Sequence, residues 1–151
     1  MDRRTIFWWR WLVVATVMIL AFGSALVLLA GPMQRAFESL YFAPRGGPAL
    51  DPDAVAYTAF MGAVLGAVMV GWAVLLLFVL FGPFRRTETA AWNMIAASLA
   101  AWFVPDTAFS LWSGFWQNAA LNIVVLAAFA VPLAATYRLF HRRRTQPRGP
   151  T

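Results

Sequence analysis

Residues 102–122, WFVPDTAFSLWSGFWQNAALN, join two long apolar segments through a turn at Ser113-Gly114. They also hold Asp106, the only carboxylate of the chain that lies inside an apolar segment. An ionisable side chain among lipid-facing residues is costly, so it needs a partner, a cavity or a function. The stretch therefore predicts a helical hairpin that carries a polar cluster within apolar surroundings.

The composition around this hairpin is that of an integral membrane protein. The chain of 151 residues is 62% hydrophobic and 12% charged, whereas charged residues make up about 25% of a soluble domain. The apolar residues occur in long blocks, which favours helices over the short alternating strands of a barrel. We expect an all-α membrane protein with one transmembrane domain over residues 1–140 and a basic disordered tail over 141–151.

Four apolar segments are long enough to cross a bilayer at about 1.5 Å per residue. They cover about residues 7–31, 54–82, 90–112 and 115–140 and predict a four-transmembrane-helix bundle. Pro32 is expected to end the first helix, while Asp51-Pro52-Asp53 supplies an N-cap, a proline and an acid at the start of the second. A cleaved signal peptide is the competing interpretation of the first segment, but its apolar part exceeds the usual length of about 7–15 residues.

The connection between the first two segments contains a shorter helical pattern. Four apolar or aromatic residues recur at helical spacing, and polar residues lie between them: Met33, Phe37, Leu40 and Tyr41 against Gln34, Arg35, Glu38 and Ser39. This pattern predicts a short amphipathic helix at the membrane interface, ended by Gly46-Gly47-Pro48. It is either a surface linker packed on the bundle or a lid over a site.

The arginines indicate the orientation of the chain. Ten of them fall at the N-terminus, in the Arg85-Arg86 turn and in the C-terminal tail, against two in the first connection, Arg35 and Arg45. Because cytoplasmic loops carry the excess of basic residues, both termini are predicted to be cytoplasmic in a multi-pass protein of the inner (plasma) membrane. The same placement at the ends of apolar segments argues against nucleic-acid binding as the reason for the net charge of +6.

The candidate site is a polar pocket in the outer part of the bilayer. Its predicted members come from the third and fourth segments: Trp102, Asp106, Ser110, Gln117, Asn118 and Asn122. The functional interpretation is a ligand, lipid-headgroup or proton site at Asp106. The structural interpretation is that Asp106 accepts hydrogen bonds from Asn118 or Asn122 and from Trp102 or Trp112, which would hold the two helices together.

The second segment carries small residues at a spacing of four: Gly62, Ala63, Gly66, Ala67 and Gly71. Small residues at this spacing let another backbone approach closely, which is how helices associate in lipid. They predict a packed helix face, whose partner is either another helix of the chain or a second copy.

Signatures of catalysis are weak. The chain has no cysteine and one histidine, His141. His141 is expected among the arginines of the tail, on the opposite side of the membrane from Ser110 and Ser113, so it cannot serve as a base for either serine. The acids that could pair with Asp106 are Asp51, Asp53 and Glu38, and all three are more simply caps or surface charges. We therefore predict no catalytic residue, no metal site and no cofactor.

The layout of four spans, with a glycine-rich second span, a basic turn and a third span that carries an acid, resembles the small four-helix bacterial membrane proteins of DoxX-like size. The resemblance implies an integral membrane protein and assigns no site residue. Three functions are expected: binding of a lipid-like or apolar small molecule or support of a membrane complex, oligomeric proton-coupled transport of a small solute through Asp106, or modification of a lipid. The expected partners are membrane lipids and a second copy or another membrane protein.

Overall fold

The computed structural model describes residues 3–42 and 50–141. These residues form five α-helices and, within the described ranges, no strand: α1 (Arg3–Leu28), α2 (Ala30–Tyr41), α3 (Pro52–Phe81), α4 (Thr89–Trp112) and α5 (Trp116–Phe140). All but α2 are long and apolar enough to cross a membrane, which confirms the four predicted segments. The predicted break at Gly46-Gly47-Pro48 and the tail from residue 142 onward lie outside the described residues.

Helix α1 lies at the centre of the bundle. It packs along α3 on one side and against α5 on the other, while α4 packs mainly on α5 and meets α3 at few points. The core between these helices is made of leucine, isoleucine and phenylalanine side chains, including Leu12, Leu76, Leu80, Ile95, Leu99, Phe129 and Leu133. Large apolar side chains also cover the outside of the bundle, and Phe78 is 73% exposed. Such a continuous exposed apolar surface is typical of a protein that contacts lipid.

One end of the bundle collects the basic residues. There the Trp9 indole of α1 donates a hydrogen bond to the Leu80 carbonyl of α3 at 2.9 Å, and the rings of Phe84 and Phe140 lie 4.5 Å apart. We call this the arginine end, because the starts and ends of helices that meet here carry most described arginines: Arg3, Arg4, Arg10, Arg85, Arg86 and Arg138. The side of the membrane on which this end lies stays a prediction.

The first helix ends earlier than the sequence predicted. Helix α1 ends at Leu28, and Pro32 lies in the first turn of α2 rather than at the end of α1. Proline is tolerated there because the first N–H groups of a helix have no intrahelical partner. The helical conformation is therefore interrupted at Leu29, and α2 begins one residue later.

The predicted cap of the second long helix is confirmed. The Asp51 carboxylate accepts hydrogen bonds from the backbone N–H groups of Asp53, at 2.9 Å, and Ala54, at 3.0 Å. Pro52 is the first residue of α3 and Asp53 lies in its first turn. These contacts satisfy two N–H groups that the helix itself cannot pair.

Helix α2 packs on α3 and α1, but its polar residues do not all face outward. Gln34, placed by the sequence pattern on the polar side, is only 7% exposed, whereas Leu40 of the apolar side is 42% exposed. The buried Gln34 amide donates to the Glu38 carboxylate one turn later at 3.3 Å. An internal hydrogen bond of this kind lets α2 turn a polar side chain toward the bundle.

The small-residue face of α3 is divided between the inside and the outside of the bundle. Gly66 is buried against Gly23 of α1, and a Cβ atom added to Gly66 would lie 2.5 Å from the Gly23 carbonyl oxygen. Gly62 and Gly71 have open space beside them, and Ala67 is exposed. Within one chain, therefore, only Gly66 of the predicted glycines makes a close helix contact, and its partner Gly23 was not predicted.

Candidate functional site

Four polar side chains meet near the end of the bundle opposite the arginine end. The Asn118 amide donates to the Asp106 carboxylate oxygen Oδ1 at 3.0 Å and to the Ser110 hydroxyl at 2.8 Å. The Ser110 hydroxyl lies 2.7 Å from the Asp106 carbonyl oxygen and 3.2 Å from its Oδ1. The Tyr41 hydroxyl donates to the Asn118 oxygen at 3.3 Å. We call Tyr41, Asp106, Ser110 and Asn118 the Asp106 cluster.

The turn between α4 and α5 brings three members of this cluster together. After α4 ends at Trp112, the Phe115 N–H bonds to the Ser110 carbonyl at 2.8 Å and the Gly114 N–H to the Leu111 carbonyl at 3.2 Å. This hydrogen-bond pair is a Schellman motif, and it needs a left-handed residue, which Gly114 supplies with φ of 77°. The chain thus reverses within three residues, so Asn118 in the first turn of α5 faces the last turns of α4.

Tyr41 joins the cluster from a separate element, at the end of α2. Burial, and after it the negative charge of Asp106, raise the pKa of the Tyr41 hydroxyl above its ordinary value of 10.0. The hydroxyl therefore stays protonated at neutral pH and acts as a donor to Asn118. Because the Asn118 oxygen accepts from Tyr41, its NH₂ group is left to point at Asp106 and Ser110.

An aromatic row holds α2 over this end of the bundle. The rings of Phe37 and Tyr41 stack with centroids 5.8 Å apart, and Tyr41 meets the edge of Phe115 at 5.8 Å. Phe22 of α1 contacts Phe37, and Phe42 contacts Phe115. The row runs from α1 across α2 to the start of α5, so the polar atoms of the Asp106 cluster have apolar walls beside them.

Three other predicted site residues do not join the cluster. The Asn122 amide is buried and donates to the Thr107 hydroxyl at 3.2 Å. The Gln117 side-chain oxygen is buried and has no hydrogen-bond partner among the described residues. The Trp102 ring lies 6.0 Å from the Trp72 ring of α3. Of the hydrogen bonds predicted to reach Asp106 from other helix positions, the one from Asn118 is formed, whereas Asn122 binds Thr107 instead.

Two of the three possible second acids are occupied elsewhere. Asp51 caps α3, and Glu38 accepts the hydrogen bond from Gln34. Among the described residues no group of three or more His, Cys, Asp and Glu side chains is placed to hold a metal ion. The cluster therefore offers one carboxylate whose nearest hydrogen-bonding partners are neutral.

Two residues of this region were not predicted as site members, namely Tyr41 and Thr107. The sequence pattern placed Tyr41 on the apolar side of the amphipathic segment. The position of Tyr41 at the end of the amphipathic segment did not indicate that its hydroxyl reaches α5. Thr107 follows Asp106 directly, and its spacing to Asn122 across the Ser113-Gly114 turn is the signal that could have identified the pair.

The arrangement leaves Asp106 able to accept a further hydrogen bond. Its Oδ1 atom receives the Asn118 amide and lies within reach of Ser110, whereas no described residue donates to its other carboxylate oxygen. A carboxylate has two oxygens with about four acceptor positions. A molecule that carries a donor or a positive charge on an apolar body would match both the free oxygen and the aromatic row.

The fold and this cluster define a helical bundle with four helices able to span a membrane and a carboxylate–amide cluster toward one end. Comparison with known protein families, with curated proteins and with solved structures finds no match to the chain. The resemblance in layout to small four-helix bacterial membrane proteins accordingly stays a prediction, and the function is argued from geometry alone.

Proposed function

We propose that this chain is a small multi-pass protein of the inner membrane, with both termini cytoplasmic, that binds a lipid-like or apolar small molecule through the Asp106 cluster. The observation that carries the proposal is the asymmetry of the Asp106 carboxylate. One oxygen is fixed by Asn118 and lies beside Ser110, and the other is left to accept a donor from a ligand. The Phe37 and Tyr41 rings supply the apolar contact.

The position of the cluster supports a ligand that enters from the membrane or its surface. Asp106 lies six residues before the end of α4, about 9 Å along the helix axis. At that depth an ionised side chain is less costly than at the bilayer centre. A headgroup-like donor could therefore reach Asp106 while its apolar part stays in the hydrocarbon.

The test is the molecule that purifies with the protein. Wild type and Asp106→Asn would be purified from membranes in the same mild detergent, and the bound lipids and small molecules identified by mass spectrometry. In Asp106→Asn the amide oxygen can replace Oδ1 toward Asn118, and an NH₂ group then stands where the free acceptor was. We expect a specific molecule bound to wild type and lost from this variant.

Thr107→Val is the matched control. It removes the neighbouring hydrogen bond between α4 and α5, from Asn122 to Thr107, and leaves Asp106 unchanged. It should weaken helix packing yet keep the bound molecule. If Asp106→Asn kept the same molecule in the same amount and lost only stability, the cluster would be structural and the proposal would be wrong.

The second candidate is a proton-coupled transporter that works as an oligomer. It is favoured by the open space beside Gly62 and Gly71 on the outside of α3, where a second copy could approach closely. Proton flux into vesicles that contain the protein should then disappear both in Asp106→Asn and in Gly62→Leu. Flux that is absent from wild type, or that persists in Asp106→Asn, would exclude this candidate.

A further inference from the structure

A groove runs between α4 and α5 on the outer surface of the bundle, away from the Asp106 cluster. It encloses about 630 Å³, and every side chain that lines it is apolar or aromatic. Its sides are formed by alanines and its floor by buried leucines: Ala96, Ala100, Ala130, Ala134, Leu99 and Leu133. Because alanine side chains are short, the two helices leave a channel between them that they do not fill.

The length of this α4–α5 groove matches one leaflet of a bilayer. It extends along α4 from Trp92 to Val104, twelve residues or about 18 Å. Half of the hydrocarbon thickness of a bilayer is about 15 Å. The groove starts one turn from the beginning of α4, at the arginine end, and its lining on α4 ends at Val104, eight residues before the end of the helix. An acyl chain of one leaflet would fill this length, and a second helix packed on the alanines is the alternative that the experiments below distinguish.

At the arginine end, the mouth of the groove is formed by side chains with polar atoms, and hydrogen bonds and a ring stack hold these side chains in place. The Trp92 indole donates to the Leu133 carbonyl at 2.9 Å, and the rings of Tyr137 and His141 stack at 4.2 Å. His141 Nε2 lies 3.3 Å from the Asn93 side-chain oxygen. Aromatic rings with polar tips are typical of the boundary between acyl chains and headgroups.

Among the described residues, one arginine that is not paired with an acid follows the mouth directly in α5. Arg138 follows Tyr137 in α5 and is exposed, and in the sequence Arg142, Arg143 and Arg144 follow His141. Of the two arginines in the turn between α3 and α4, Arg86 is paired with Glu88 at 2.6 Å, while Arg85 lies over the Trp9 ring. Basic residues beside a membrane surface attract anionic lipids.

We propose that the α4–α5 groove binds one acyl chain of an anionic phospholipid from the leaflet at the arginine end, with the headgroup beside Asn93, Arg138 and His141. The apolar lining and the length select an acyl chain, and the charge at the mouth selects an anionic headgroup. The mouth of this lipid site lies at the other end of the bundle from Asp106, and none of the residues that line the groove belongs to the Asp106 cluster, so the proposal does not rest on the proposed function.

The experiment is native mass spectrometry of the full chain released from nanodiscs that contain equal amounts of phosphatidylglycerol and phosphatidylcholine. Wild type should retain one phosphatidylglycerol in preference to phosphatidylcholine. Arg138→Gln should lower this preference about fivefold, which corresponds to about 1 kcal/mol for a basic residue near an anionic surface. Equal retention of the two lipids by wild type would overturn the proposal.

A substitution that fills the groove distinguishes binding of an acyl chain from general attraction of anionic lipids to the protein surface. Ala100→Leu places a larger side chain in the groove, and Ala101→Leu places the same side chain on an exposed part of α4 outside it. Bound phosphatidylglycerol should be lost from Ala100→Leu and kept by Ala101→Leu, at equal thermal stability in detergent. Retention of the lipid in Ala100→Leu, or loss of a dimer in place of a lipid, would show that the groove has another role.

A substitution on the α5 side of the groove provides a second test in case Ala100→Leu does not fold. Ala130→Leu enters the groove from α5 rather than from α4. If Ala100→Leu fails to fold, Ala130→Leu carries the same expectation, because an acyl chain needs both walls. A folded Ala130→Leu that still retains phosphatidylglycerol overturns the proposal.

Discussion

The Trp11 indole of α1 donates a hydrogen bond to the Ala128 carbonyl of α5 at 2.9 Å. In a regular helix that carbonyl would accept from residue 132, but Pro132 has no N–H. A tryptophan from the first helix therefore takes the place of a backbone donor in the last one. Membrane-spanning helices tolerate proline because neighbouring groups satisfy the freed carbonyl.

This relationship predicts a measurable coupling between Trp11 and Pro132. Trp11→Phe should lower the free energy of unfolding by about 1 kcal/mol, the net contribution of one hydrogen bond. In the Pro132→Ala background residue 132 regains its N–H, so the same change should cost less. A double-mutant cycle by unfolding in detergent micelles isolates this term. Trp112→Phe, at a ring that is 85% exposed, is the control, and equal losses for Trp11→Phe in both backgrounds would contradict the prediction.

The contact between Gly23 and Gly66 predicts opposite results for two neighbouring glycines. Gly66→Ala would place a Cβ atom 2.5 Å from a backbone oxygen and 2.7 Å from Leu26 Cβ, and should destabilise the bundle by about 1–3 kcal/mol through overpacking. Gly62→Ala meets open space and should be neutral or stabilising by up to about 1 kcal/mol, because alanine favours a helix over glycine. Thermal unfolding of the two variants in the same detergent decides this, and similar losses for both would count against the α1–α3 contact.

The Asp106 cluster predicts that two serines at the end of α4 contribute differently to the free energy of unfolding. Ser110 is buried and accepts a hydrogen bond from Asn118, so Ser110→Ala should cost about 1 kcal/mol. Ser113 is exposed and bonds only to the Phe109 carbonyl of its own helix, so Ser113→Ala should change stability by less than about 0.5 kcal/mol. Asn118→Ala should cost more than either, because it breaks contacts to three residues. Chemical unfolding monitored by circular dichroism gives the order, and a loss for Ser113→Ala as large as that for Ser110→Ala would refute it.

Tyr41 predicts a loss of stability at high pH. Because burial and the charge of Asp106 raise its pKa above 10.0 in the folded chain, the folded state holds this proton more tightly than the unfolded state. The stability that Tyr41 contributes is therefore complete below about pH 10 and is lost as the pH rises past that value. The unfolding free energy of wild type should fall more steeply between about pH 9 and 11 than that of Tyr41→Phe. Parallel curves for the two proteins would show that Tyr41 is not coupled to folding in this way.

Gly114 predicts a conformational requirement in the α4–α5 turn. Its φ of 77° is in the left-handed region, so Gly114→Ala should cost about 1–2 kcal/mol. Gly31→Ala, at a helical glycine with open space beside it, is the matched control and should be neutral. The midpoints of thermal unfolding compare the two, and an unchanged midpoint in Gly114→Ala would mean that the turn relaxes.

The features predicted correctly from the sequence are those that local rules determine. Length and hydropathy were sufficient for the four long helices, and Asp51-Pro52-Asp53 for the start of α3. The meeting of Asp106 and Asn118 was predictable because only twelve residues and one tight turn separate them. In each case the contact depends on chain geometry within a few turns.

The contacts that the sequence did not reveal depend on which faces of the helices meet. Helices α1, α3, α4 and α5 are apolar all round, so hydrophobic periodicity does not distinguish a face that packs from one that contacts lipid. For this reason the sequence did not indicate that the indoles of Trp11 and Trp92 bind carbonyls of α5. Gly23 was likewise missed, and α2 was expected to turn Gln34 outward because polar residues usually face water.

The central position of α1 has a consequence for biosynthesis. Trp11 and Ala128 are 117 residues apart, so α1 is synthesised well before α5. Until α5 follows, the face of α1 that contacts α5 stays uncovered. During that interval α1 can pair with α3 through Gly23 and Gly66, which would give a two-helix intermediate before α5 is made. A chain that is cut short before α5 would keep the Gly23–Gly66 contact and lose the partner of Trp11.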